Sequence, residues 1–159
     1  MRKKIFTCSL LGITIVATAS VLYSQVVLKT DMRSPDQVVQ ARKYLMQIIT
    51  ANMGDMANKL KAGNIQDIQV NAGSIAAMTI VLPPLYREKY EQAYPIKGSD
   101  YYFKGAPASE FELASQKLRS AAITIKKDSE NGNKADIQAG LAILVSACRS
   151  CHSPYRGQY

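Results

Sequence analysis

The sequence predicts an all-α fold, an antiparallel four-helix bundle, on three observations. Apolar residues recur at intervals of three and four along four separate segments. Each segment is bounded by residues that start or stop helices. No stretch alternates apolar and polar residues with the period of two that a strand requires. The stripes are narrow, so a single helix would leave its apolar face in water, whereas four helices bury one another. A chain of 159 residues suits one such domain.

In chain order, residues 1–24 come first and read as a secretory signal peptide. Arg2, Lys3 and Lys4 precede an uncharged apolar run, and small residues follow at Ala17-Thr18-Ala19, which places the cut after Ala19 or after Ser24. The other reading is an uncleaved membrane anchor, because the apolar stretch through Tyr23 approaches the length of a bilayer span. The signal layout favours cleavage, with Cys8 discarded in the leader. Residues 25–33 form a polar linker, and residues 34–159 form the helical domain. Loss of residues 1–19 removes three cations and no acid, which turns a net charge of +8 into +5. The expected location is the periplasm. A mildly basic exported domain favours acidic proteins or a membrane surface as partners. Nucleic acid is excluded by export and by the scatter of the lysines.

The first helix opens at Ser34-Pro35-Asp36-Gln37, where serine caps, proline suits the first helical position and glutamine completes a capping box. Its stripe is Val39, Met46, Ile49, Met53, Met56 and Leu60, with Arg42 at the one missing step, and Gly63 ends it. The second stripe runs Ile65, Ile68, Ala72, Ile75, Thr79 and Leu82 until Pro83-Pro84 forbids continuation. A long crossover follows, carrying Tyr86, Tyr90, Tyr94, Tyr101 and Tyr102, with one short helical turn expected and its tyrosines available to pack over a bundle end. Ser109 starts the third helix, with Phe111, Ala114, Leu118, Ala121 and Ile125 on its stripe and Asn131-Gly132 at its close. Asn133 caps the fourth, whose stripe is Ile137, Leu141, Leu144, Cys148, Cys151 and Tyr155.

The chemistry is concentrated at the end of that last helix. Cys148, Cys151 and His152, the only histidine of the chain, stand at i, i+3 and i+4 and share one side of it. This is the spacing for covalent attachment of a c-type haem: two thiols add across the vinyl groups of one porphyrin edge, and the adjacent imidazole reaches the iron. Three other uses of the motif fit less well. A Cys148–Cys151 disulfide in mid-helix is a strained staple. A thioredoxin-like redox pair belongs to a βαβ setting. A structural zinc site needs four ligands, which the mature chain does not offer in cysteine and histidine.

A c-type haem near the C-terminus of a four-helix bundle is the layout of the cytochrome c′ family, which this chain resembles over nearly all of its mature length. The resemblance is carried by "SPDQVVQARKYLMQ", "KAG", "LPPLY" and "CRSCHSPYR". It implies that Cys148 and Cys151 hold one haem c, that His152 is the proximal iron ligand, and that Arg156 lies near the proximal side. It also places Arg42 near the haem propionates and Met46 over the distal face. In an otherwise apolar seam Arg42 needs a counter-charge, which a propionate supplies; the alternative is an arginine that snorkels out at the bundle end. Three positions depart from the family pattern: Pro154, which would kink the last turn after the ligand, Lys43 where relatives have glutamine, and Tyr86 as the aromatic after the Leu-Pro break.

Met46 leaves two functions open. A thioether bound to iron would give His/Met ligation suited to electron transfer. A methionine that only fills core space would leave five-coordinate iron open to nitric oxide or carbon monoxide. The expectation is a periplasmic one-electron carrier with redox proteins as partners. The alternative is a gas binder. No catalytic base, nucleophile pair or phosphate loop appears, so a non-enzyme is expected. Relatives often form homodimers through their first two helices, and the polar faces of those helices leave that open here.

Overall fold

Proline at position 35 begins the first helix, α1 (Pro35–Ala62), and Gly63, at φ 83°, ends it in the left-handed conformation that glycine adopts without steric cost. The structure, a computed structural model, describes residues 34–159. The expected signal peptide with its cut sites, Cys8 and the expected linker up to residue 33 lie outside the described residues. Along α1 the predicted stripe is the buried side: Val39, Arg42, Ile49 and Met56 are inaccessible, and Met46, Met53 and Leu60 pack partly buried against the core.

The second helix, α2 (Ile68–Leu85), differs from the expectation at both ends. Ile65 lies in the connecting turn, where its carbonyl accepts from the Ile68 N–H, and the helix continues through Pro83 and Pro84 to Leu85. Two prolines in a last turn remove only their own N–H groups, and their fixed φ is already helical, so the helix closes one step later. It stops at Tyr86, whose N–H returns to the Leu82 and Pro83 carbonyls. The third helix, α3 (Ala108–Glu130), starts one residue before Ser109. Pro107 holds the cap position and accepts from the Phe111 N–H, so Ser109 is not the cap. Buried Ser115 occupies the step assigned to Ala114, which is only half-buried. The fourth helix, α4 (Lys134–Tyr155), has the predicted cap: the Asn133 side chain accepts from the Asp136 N–H. Pro154 sits in its final turn, and the helix runs one residue beyond it before the chain turns extended.

Helix α1 packs on α2, α2 on α3 and α3 on α4, around a core that includes Met56, Ile75, Ile125, Ile137 and Leu144. Gly140 lets α4 come close to α3, since a Cβ there would stand 2.7 Å from Ile125 Cγ1. The backbones of α1 and α4 approach less closely than those three pairs. The crossover contains a single 3-10 turn, Glu91–Ala93, as expected.

Two short strands overturn the expectation of no strand. β1 (Tyr101–Phe103) pairs antiparallel with β2 (Arg156–Gln158), with Tyr102 opposite Gly157. Three residues cannot display an alternation, and β2 forms where the chain leaves the helix after Tyr155 beside the crossover. The pairing holds the tail onto the crossover. A Cβ on Gly157 would lie 2.2 Å from Tyr102 Cζ, and the Tyr102 and Tyr159 rings stand 5.0 Å apart. At the same bundle end Tyr86 meets Phe103 edge-on at 5.0 Å and stacks on Phe111 at 4.9 Å, as the tyrosine-rich crossover suggested.

Candidate functional site

The last two turns of α4 carry Cys148, Cys151 and His152, all half-buried, and both cysteines are free thiols. Cys151 and His152 face a cavity of about 620 Å³ that opens between α1 and α4, where the helices are least tightly packed. Met46 lines it from α1, Tyr155 from α4, and Tyr86, Phe103 and Phe111 form an aromatic flank. Arg42 and Arg156 complete the set of predicted residues on its wall. Cys148 is the exception. Three residues turn a helix through about 300°, so the two thiols stand about 60° apart around α4. Cys151 meets the cavity, while Cys148 Sγ lies 3.9 Å from Met53 Sδ of α1.

Burial sets the protonation states. It raises the Cys151 thiol to about 11, helped by neighbouring Cys148, and it also pushes the Cys148 thiol up. The His152 imidazole is held below its usual value by burial first and by the Arg156 charge second. Near neutral pH the chain therefore offers two S–H groups and an uncharged imidazole, the form that binds a metal. Among the described residues no group of three His, Cys, Asp or Glu side chains is placed to hold a metal ion.

Arg42 does not snorkel. It is 3% exposed, and its guanidinium grips the crossover: Nε donates to the Leu85 carbonyl at 2.7 Å and Nη2 to the Glu88 carbonyl. Nη1 makes two longer contacts, both 3.4 Å, to the Lys89 carbonyl and the Tyr94 hydroxyl. The charge lies 4.7 Å from the Tyr86 ring centre and 5.3 Å from those of Tyr90 and Phe103. Adjacent Lys43 donates to the Lys97 carbonyl at 2.6 Å, so two successive cations of α1 hold the segment that covers the cavity. Arg156 is exposed, with its guanidinium 4.4 Å from the Tyr101 ring centre. The Tyr155 hydroxyl donates to Glu110 at 2.8 Å, which ties the end of α4 to the start of α3.

The residues that sequence reasoning missed come mainly from the crossover. Phe111 is on a stripe and Tyr94 is among the crossover tyrosines, but Phe103 and the Lys43–Lys97 contact have no periodic signal. The cavity suits a flat, largely apolar macrocycle. Its volume is that of a cofactor pocket, and its lining combines aromatic and aliphatic side chains such as Met46, Tyr86, Phe103 and Phe111 with polar ones such as Arg42 and His152. The open α1–α4 seam gives such a ring a slot.

Comparison with known proteins bears on this geometry. Residues 37–156 match the family model described as Cytochrome C′. No match is found among curated proteins. Cytochrome c′ from Rubrivivax gelatinosus is similar at 16% identity and TM-score 0.61, covering 79% of this chain and 98% of that one. A ferrous variant of cytochrome c prime from Alcaligenes xylosoxidans with bound NO is similar at 15% identity and TM-score 0.64, covering 81% and 100%. A cytochrome c′ with ligand-controlled dimer dissociation is similar at 18% identity and TM-score 0.58, covering 79% and 98%. At these identities the structural likeness shows a shared fold.

Proposed function

Because the chain belongs to the cytochrome c′ family, whose members carry covalently attached haem c with its iron, we propose that it is an exported, periplasmic one-electron carrier. Cys148 and Cys151 would hold the haem, and His152 and Met46 would ligate its iron. The observation that supports this reading is that Met46 of α1 and His152 of α4 line one cavity. When bound, the haem supplies a one-electron iron couple whose potential a methionine ligand raises. The chain's own residues do the rest. Burial keeps the His152 imidazole uncharged and available. Tyr86, Phe103 and Phe111 exclude water from one flank. Arg42 holds a fixed positive charge at the cavity wall, and Nη1, with its two long contacts, is the donor left for a propionate. The partner in this reading is another periplasmic redox protein.

A second reading, a five-coordinate gas binder, is favoured by the nitric oxide complexes among structures of the same fold and by a Met46 side chain that is only partly buried and flexible. Optical spectra separate the two. The carrier shows low-spin bands with the sulfur-to-iron charge-transfer band, lost in Met46→Ala. High-spin ferric bands, ready uptake of carbon monoxide by the reduced protein and an unchanged Met46→Ala spectrum would establish the gas binder. In either case Tyr44 and Ile48 of α1 and Val70, Ile80 and Val81 of α2 are exposed apolar side chains suited to a homodimer contact. Sedimentation at several concentrations tests that contact.

A further inference from the structure

On the outer side of His152 lies a second concavity, an open cleft of about 480 Å³. It shares His152, Tyr101 and Arg156 with the cavity and adds Arg149, Ser153 and the tail from Gly157 to Gln158. Arg149 and Ser153 are one helical turn apart on α4, with His152 between them, and Arg156 follows at the start of β2. The cleft is therefore lined by two arginines, two hydroxyl-bearing side chains, an imidazole and an amide, and no acidic side chain lines it. Neither Arg149 nor Arg156 makes an ion pair among the described residues, although lysines and Arg119 elsewhere on the helices and crossover do. Elsewhere Lys59 pairs with Asp55, and Lys126 with Glu130.

We propose that this arginine cleft is the docking surface for an acidic redox partner, which places carboxylates on Arg149 and Arg156. This rests on the carrier reading. Two forked cations match carboxylate oxygens in pairs. An exposed, unpaired positive patch raises the encounter rate of an anionic partner and loses that advantage as salt is added. The position beside His152 brings the partner to the edge of the cavity where the electron leaves. A bound haem would supply the one-electron chemistry, while Arg149 and Arg156 would only orient the partner, with no bond made or broken.

The test uses the haem-loaded protein and two probes. In calorimetric titration with hexaglutamate at low salt, Arg149→Gln is expected to weaken binding about threefold or more and Arg149→Gln/Arg156→Gln about tenfold. Lys134→Gln, the same charge change at the far end, is expected to leave binding unaltered. In stopped-flow oxidation, hexacyanoferrate(III), an anionic oxidant, is expected to react several-fold more slowly with the double variant. The cationic tris(phenanthroline)cobalt(III) is expected to react no more slowly with Arg149→Gln. Equal effects of Arg149→Gln and Lys134→Gln would overturn the proposal. So would hexacyanoferrate rates that are the same in all variants, or displacement of the peptide by inorganic phosphate and not by chloride at equal ionic strength, which would make the cleft a small-anion site. The peptide titration does not depend on the haem's spin state. A gas-binder spectrum would thus remove the carrier reading while the cleft's anion preference is measured independently.

Discussion

Replacing Arg42 with methionine tests what holds the cover of the cavity in place. The substitution keeps most of the aliphatic stem and removes the guanidinium, and with it the bonds to the Leu85 and Glu88 carbonyls. Hydrogen bonds from a charged donor contribute about 1.5–3 kcal/mol each. The two longer Nη1 contacts add little at 3.4 Å. Against this, the variant no longer buries a charge, which offsets part of the loss. The expected net destabilisation is about 2–4 kcal/mol, a fall in Tm on the order of 10 °C for a domain of this size. Thermal unfolding of the haem-loaded protein followed by circular dichroism measures it, and limited proteolysis should show faster cutting in the crossover between Tyr86 and Asp100. Arg42→Lys keeps the charge, but one ammonium cannot serve two carbonyls in a fork, so it should recover less than half of the loss. A loss below about 1 kcal/mol in Arg42→Met, or full stability in Arg42→Lys, would refute the clamp.

Four further substitutions probe the frame around the site. Gly157→Ala puts a methyl group into the Tyr102 ring and forces β1 and β2 apart, at a cost of about 1–3 kcal/mol by denaturant unfolding, with faster amide exchange at Lys104, which donates to the Tyr155 carbonyl. Ile125→Ala leaves a cavity between α3 and α4 worth about 2–5 kcal/mol; Gly140→Ala, destabilising in the parent, should become stabilising in that background because its methyl group fills the space. Burial raises the Tyr86 phenol well above its ordinary value near 10, with a smaller opposing effect of the Arg42 charge. A folded-state value above the unfolded one means that this contribution is complete below pH 10 and is lost as pH rises beyond it. Tyr86→Phe should therefore flatten the alkaline fall in stability, and a fall of unchanged slope would count against a buried phenol.

The helices were legible because their stripes, caps and stops are local. Asn133 caps α4 as a single residue can, and Gly63 stops α1 for want of a Cβ. The motif at Cys148, Cys151 and His152 was legible for the same reason, since three side chains within five positions define a helix face. What could not be read was contact between distant segments that share no period. The Arg42 grip spans more than forty residues and acts on backbone carbonyls, which every residue possesses, so no side-chain pattern announces it. The β1–β2 pair depends on the chain leaving α4 just where the crossover passes. The turn of Cys148 toward Met53 is a matter of 60° around one helix, finer than a heptad-like stripe can resolve.

The looser approach of α1 to α4 has a consequence for how the molecule is made. The three tight pairs join helices that follow one another along the chain, two of them through short turns and α2–α3 through the crossover, so each closes a shorter loop than the first-to-last contact. The remaining contact joins the first helix to the last, the slowest closure in the domain, and it is the one that borders the thiols. A newly made chain can thus collapse along its three tight pairs while Cys151 and His152 stay open to an incoming porphyrin. Maturation then becomes the act that shuts the barrel of helices, and assembly order is written into which seam the chain leaves unsewn.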